Sequence, residues 1–305
     1  MILQLDLENV VGYWDDGIDF SKLGSVTGVT TPAATRRIFQ AQVQIGDLTA
    51  VNGKPAKGTF IMNARNLNVT TASAPGQSIA DTTRTGIAQY TFEFLQPDGT
   101  PIGSIFVSAL NGGSPSPGAP AGAGQAIGAI TGGTGAFWGV QGQASSAVPS
   151  PAIRAASFAE DTASRRINGG GKVQYILQLG SVERPQVIAT ANGPAIVHAS
   201  NNQLVTAANP AHAGETLVLF ATGLGPAKGV ELGKPFPASL AAVVAPVAVS
   251  VNGADAPVFY AGGYPGAVDG YQVNFTLPSS LSPGTATLQV SAAWIPGDTV
   301  SLPIQ

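Results

Sequence analysis

The chain has 305 residues, of which 44% are hydrophobic and 10% charged, with a formal net charge of −3. Adjacent basic residues occur only as Arg36-Arg37 and Arg165-Arg166, which is too few for a phosphate-binding surface and predicts no nucleic-acid partner. The 39 glycines and 23 prolines interrupt the chain too often for long helices. We therefore predict an all-β protein with many short strands and tight turns.

Metal and cofactor sites are not expected. The chain has no cysteine, and its two histidines, His198 and His212, have no further ligand at zinc-site spacing. Asp15, Asp16 and Asp19 resemble half of a calcium loop, but no distal carboxylate follows them. The sequence therefore predicts neither a bound metal nor a cofactor.

The low charge is typical of a protein outside the cell or packed against copies of itself. The longest nearly apolar run, 238–251, contains Pro246 and is too short to span a bilayer. The first residues lack the basic and apolar regions of a signal peptide. We predict an extracellular or cell-surface location without membrane insertion.

In chain order, residues 1–37 are predicted as an irregular leading arm, and residues 38–180 as an eight-stranded β-barrel. Eight strands are the number that closes a small barrel. Alternation is clear where Val43 and Ile45 follow glutamines, and where Tyr90 and Phe92 alternate with polar residues. The predicted strands are 38–50, 57–70, 84–95, 102–110, 125–131, 136–148, 153–160 and 171–179.

A second domain, 186–305, follows a short polar linker after the last barrel strand. Its short apolar segments alternate with turn sequences such as Asn252-Gly253 and Pro283-Gly284. That spacing is typical of a β-sandwich, and we predict an immunoglobulin-like sandwich of seven or eight strands.

The segment Gly132-Gly-Thr-Gly-Ala-Phe137, read with 90–94 and 103–107, resembles the core signature of the dirigent and allene-oxide-cyclase-like β-barrels. We predict a turn that requires positive φ at Gly133. The resemblance implies a barrel that acts, where it acts at all, by shaping a ligand in its mouth. Plant dirigent proteins carry an arginine after this turn, where this chain has Gln141.

The second domain resembles a C-terminal immunoglobulin-like domain common in secreted proteins of Acidobacteria, the Solibacter type. The resemblance lies in the segments 209–226, 252–266 and 270–274. It implies an exported protein of two modules and transfers no catalytic residue.

Candidate site residues are few. The barrel candidates for binding or acid–base chemistry are Arg65, Asp81, Arg84 and Glu93, although such charges more often keep strand edges and loops soluble. In the second domain, Tyr264 and Trp294 lie in turn-rich segments, where they either plug the end of the sandwich or form an aromatic platform.

Three functions remain open at this stage. The first is a non-catalytic extracellular binding or surface-assembly protein that associates with itself as an oligomer or filament, or with another extracellular protein or glycan. The second is a barrel that binds an apolar small molecule and steers a cyclisation or coupling reaction. The third is a carbohydrate-binding module. A packed barrel favours the first and a hollow barrel the second.

Overall fold

The computed structural model describes residues 1–14, 38–68, 86–111, 127–146, 153–157 and 159–305. These residues form two compact units. The first comprises Met1–Gly99, Gly103–Thr134 and Gly139–Val182, and the second comprises Glu183–Gln305 with the segments Thr100–Ile102 and Gly135–Trp138. The all-β class and the eight-stranded barrel are confirmed. Within the described ranges, no helix has the length and apolar character needed to cross a membrane.

Nine strands belong to the first unit, and eight of them close an antiparallel barrel in the order β2-β3-β4-β5-β6-β7-β9-β1, with β1 also pairing β2. The strands are β1 (Ile2–Trp14), β2 (Ile38–Val51), β3 (Lys54–Asn68), β4 (Gly86–Leu95), β5 (Pro101–Asn111), β6 (Ile127–Gly135), β7 (Gln141–Ser146), β8 (Arg154–Ser157) and β9 (Gly171–Ser181).

The first strand corrects the predicted leading arm of residues 1–37. Leu3, Leu5 and Leu7 are buried in the barrel and alternate with polar residues, so the barrel begins at β1 and not at residue 38. Asn9 forms a bulge with φ +52°, and the face that points inward changes there. The remainder of the predicted arm, 15–37, lies outside the described residues.

The predicted barrel strand 153–160 is also wrong. Strand β8 is four residues long and pairs in parallel with the end of β1, outside the closed barrel. It is followed by a short 3-10 helix, Thr162–Arg166. The barrel still has eight strands, because β1 and not residues 153–160 is the eighth strand.

Strand β2 turns Gln42 and Gln44 inward. Its register places Gly46 beside Phe60, Gln44 beside Met62 and Gln42 beside Ala64, and these three partners are buried in the interior. Val43 and Ile45 therefore face outward, beside Tyr13 and Val11 of β1. The short helix after β8 contacts this outer face, where its Arg165 binds Asp47 of β2.

The glycine-rich turn differs from its prediction in one detail. Gly133 does not have positive φ. The left-handed conformations are at Gly135, with φ +60°, and at Gly139, with φ +76°. The tight turn thus spans residues 136–139, after β6 ends, and the preceding glycines belong to the strand.

The second unit has two main sheets. The first sheet has the strand order β10-β14-β18-β17, and β13 also pairs with β14. The second sheet has the order β16-β15-β19-β20. Strands β11 and β12 form a separate two-stranded pair. The immunoglobulin-like topology stays a prediction. The strands are β10 (Gln186–Val187), β11 (Ala189–Thr190), β12 (Gly193–Pro194), β13 (Ile196–His198), β14 (Thr216–Thr222), β15 (Val247–Val251), β16 (Ala254–Ala256), β17 (Val258–Gly263), β18 (Tyr271–Thr276), β19 (Gly284–Ala292) and β20 (Ile295–Ile304).

Candidate functional site

Four aromatic rings meet inside the barrel. Phe60 of β3 and Phe92 of β4 lie 5.2 Å and 5.1 Å from Tyr175 of β9, measured between ring centroids. Tyr90 of β4 lies 5.8 Å from the same ring. Strands β3 and β4 are three and four steps around the sheet from β9. The contacts therefore cross the lumen, and side chains fill the barrel at this level.

The two phenols in this cluster stay neutral at physiological pH. Burial raises the pKa of Tyr90 to about 12. Burial, with a smaller contribution from Tyr90, raises the pKa of Tyr175 above its usual range. Neither hydroxyl is placed to act as a general base, because each would first have to lose a proton in an apolar interior.

The charged candidates in the barrel face outward. Arg65 is exposed on β3, and Glu93 is half-buried on the outer side of β4. They are not brought together, because Arg65 pairs across the strands with Ile87, whereas Glu93 pairs with Thr59. Asp81 and Arg84 lie outside the described residues.

Asp47 on the outer face of β2 binds both members of the Arg165-Arg166 pair. Its carboxylate accepts hydrogen bonds from Arg165 at 2.5 Å, from Arg166 at 2.6 and 2.9 Å, and from Asn9 at 2.9 Å. Burial alone would raise the pKa of Asp47, but the hydrogen bonds from Arg166, Asn9 and Arg165 outweigh burial and lower it. These interactions hold the short helix against the barrel, and both arginines are used in ion pairs with Asp47.

The two aromatic candidates in the second unit lie in different sheets. Tyr264 follows β17, is 48% exposed, and packs edge-on against Phe220 at 5.6 Å. Trp294 is half-buried in the turn between β19 and β20, where φ is +63°. Tyr264 is thus accessible to a ligand, whereas Trp294 is half-buried in a turn between strands of the other sheet.

A groove in the second unit has a volume of about 570 Å³. We call it the 225–271 groove, after the segment that supplies most of its lining. Phe236 packs against Tyr271 at 5.1 Å, and the Tyr271 hydroxyl donates a hydrogen bond of 2.6 Å to the Gly225 carbonyl. Leu232 and Val268 also line it and are 76% and 50% exposed. The groove therefore combines a rigid aromatic base with open apolar sides.

Carboxylates predominate among the charged side chains of this groove. Glu183, Glu231 and Asp269 line it with a single cation, Lys234. Burial and the neighbouring Asp269 carboxylate raise the pKa of Glu183. Burial and the charges of Asp269 and Glu183 also raise the pKa of Tyr271 above its usual range. Negative charge here is incompletely compensated, which favours a cationic ligand.

Neither histidine forms a metal site with the described residues. His198 is buried, and its Nδ1 lies 2.5 Å from Glu215 Oε1 while its Nε2 lies 3.3 Å from the Asn209 carbonyl. The other oxygen of Glu215 accepts from the His212 backbone amide. No group of three potential ligands occurs in the described part of the chain.

The chain matches no protein-family profile, and comparisons with curated proteins and with solved structures find no significant relative. The dirigent-like and Solibacter-type resemblances therefore stay predictions.

The sequence analysis missed the 225–271 groove. Tyr271 belongs to an alternating segment, Tyr271–Thr276, whose pattern predicts a buried ring but gives no information about the hydroxyl at the end of it. One signal was available: Val230-Glu-Leu-Gly-Lys234 places an apolar residue between charges in a segment without strand alternation. Such a residue is often exposed for binding.

Proposed function

We propose that the protein is a non-catalytic extracellular binding protein that assembles through its second unit. The observation that carries this proposal is the aromatic cluster that fills the barrel. A barrel that steers a small-molecule reaction needs an open chamber lined by aromatic side chains and one or two charges. At the level of Tyr175 the lumen is occupied by rings, and the described charged candidates are outside it.

Edge strand β20 supports the assembly part of the proposal. It ends the four-stranded sheet, and among the described residues no strand pairs with its outer edge between Asp298 and Ser301. Asp298 is the only charged residue in β20, and it forms an ion pair of 3.2 Å with Arg184. Edges of soluble proteins are usually protected by lysine or another charge. The open part of the edge lies between Pro296, whose carbonyl is bound by Arg184, and Ile304, which is bridged to Ala211; residues 298–301 are suited to accept a short strand from another chain.

The experiment is sedimentation velocity of the full chain over a wide range of concentration at moderate salt. We expect reversible association of the wild-type protein, and its loss in the variant Ser301→Lys. Ser301 is exposed on β20, so an added lysine places a charge at the edge without disturbing the core.

A matched control is Thr287→Lys. Thr287 is the cross-strand partner of Ser301, is exposed on the same face, and lies on β19, which is not an edge. It should associate like the wild type. A wild-type protein that stays monomeric throughout, or equal effects of the two lysines, would contradict assembly through β20.

A further inference from the structure

We propose that the 225–271 groove binds a basic side chain, lysine or arginine, that is flanked by apolar residues in a protein partner. The inference rests on the proposed binding function and assigns it a site and a ligand class. No residue of β20 is needed for it.

The apolar part of the ligand is determined by the sides of the groove. Leu232 and Val268 are large aliphatic side chains that are mostly exposed, beside the buried Phe236. Their exposure is unfavourable in water, and covering them with an aliphatic stem or a neighbouring apolar residue removes that penalty. A small polar ligand would leave these side chains in solvent.

The charge of the ligand is determined by the rim. Three carboxylates and one ammonium line the groove. Asp269 accepts a hydrogen bond of 3.2 Å from the Gly223 amide, and its carboxylate also interacts with the Tyr271 hydroxyl, so its charge lies next to the aromatic base of the groove. An incoming cation would reduce the repulsion between Asp269 and Glu183, whereas an incoming anion would increase it.

The chemistry favours a side chain over a free metal ion. Glu183 and Asp269 are both exposed at the rim, and the groove extends beyond them along an apolar surface. A divalent ion prefers several oxygen ligands converging on one point, which the described residues do not provide. A lysine or arginine instead buries its aliphatic stem and keeps its charged end near water.

The probe is the pentapeptide Gly-Leu-Lys-Leu-Gly with blocked ends, titrated into the full chain by calorimetry up to millimolar peptide. The comparison peptide carries Nε-acetyl-lysine, which keeps the stem and removes the charge. We expect saturable binding of the first peptide and at least about fivefold weaker binding of the second, the factor expected for rim charges worth about 1 kcal/mol.

Three protein variants locate the site. Glu183→Gln combined with Asp269→Asn removes both charges but keeps the shapes, and the amide oxygen can still accept from Gly223; we expect about tenfold weaker binding. Lys234→Gln removes the competing cation and should tighten binding. Asp255→Asn removes an exposed charge on β16, outside the groove, and should change nothing.

Equal affinities for the two peptides, no saturable binding to the wild-type chain, or an unaltered affinity of the Glu183→Gln/Asp269→Asn protein would overturn the inference. Unchanged melting of that double variant excludes misfolding as the cause of a loss. Sedimentation of the same variant separates the two proposals: self-association that persists while peptide binding fails leaves assembly through β20 intact, and peptide binding without self-association leaves the groove intact.

Discussion

The two units of this chain use charge in different ways. In the first unit, ionisable side chains are paired across strands and loops: Asp47 with two arginines, Glu8 with Lys172, and Arg154 with Glu160. Residues 181–305 carry only three basic and six acidic side chains, and three of the acids line one groove. The second unit also has charge pairs, Arg184 with Asp298 and His198 with Glu215, but half of its acids line a single groove.

The interiors differ as well. The barrel is filled by aromatic rings that meet across the lumen, whereas the sheets of the second unit bury mainly aliphatic residues such as Leu219, Val273 and Leu288. Large apolar side chains that remain exposed occur in both units, among them Ile87 and Ile167 in the first and Leu232, Leu240 and Phe259 in the second. Exposed apolar patches of this kind are common at surfaces that bind other molecules.

The largest effect is expected from Phe92→Ala, which tests whether the barrel is packed. Removing a ring that is 1% exposed should lower the free energy of unfolding by about 3–5 kcal/mol. The control is Phe259→Ala in the second unit, where the ring is 61% exposed and the loss should stay below about 0.5 kcal/mol. Urea unfolding measures both. A loss below about 1 kcal/mol in Phe92→Ala would indicate a hollow barrel and revive the ligand-steering function.

The second prediction tests the role of charge in the barrel. Asp47→Asn leaves Arg165, whose side chain is 8% exposed, without its counter-ion, and should reduce stability by about 3 kcal/mol. Glu93→Gln on the outer face of β4 is the control and should be close to neutral, because no ion pair is broken in the described structure. If both variants lost the same amount of stability, the Asp47 ion pairs would contribute no more to the fold than a charge on the outer face of β4.

Lowering the pH should remove the same contribution of Asp47 to the stability of the wild-type protein. The pKa of Asp47 is lowered on folding from its ordinary 3.8, so its contribution is complete above that value. It is lost progressively as the pH falls below 3.8 toward the lower folded-state value. The Asp47→Asn protein should lack this part of the pH dependence, which unfolding curves across that range would show. If the stability of the two proteins changed with pH in the same way, this role of Asp47 would be contradicted.

The smallest effect concerns the turn after β6. Gly139 has φ +76° and open space around its missing side chain, so Gly139→Val should cost about 1–3 kcal/mol through backbone strain alone. Asparagine tolerates this conformation, and Gly139→Asn should recover most of the loss. Gly133→Val should be milder on this account, because Gly133 lacks positive φ. If valine at residues 133 and 139 lowered stability equally, steric contacts and not the backbone φ would determine the cost.

Sequence patterns predicted the all-β class and the number of barrel strands because alternation is a local property. They misplaced one strand because the bulge at Asn9 breaks the alternation of β1 after Leu7. The outward positions of Arg65 and Glu93 could have been inferred, since each follows a residue that faces the core. For the 225–271 groove the segment 230–234 indicates an exposed apolar residue, but the groove itself could not be inferred, because Glu183, Phe236 and Asp269 come from distant segments that meet only in the folded unit.

The closure of the barrel by β1 and β9 has a consequence for the order of folding. The Met1 amino group donates to the Leu179 carbonyl across 178 positions of sequence, and Ile2 pairs with Gln178. Contacts so distant along the chain form slowly, because the loop entropy is lost before the pairing energy is gained. Hairpins such as β2–β3 can form early, but the lumen cannot be sealed until β9 is available. Until then, β1 and β7, the two strands that pair with β9, each expose an unpaired edge, and this is the interval in which the nascent barrel is most susceptible to aggregation.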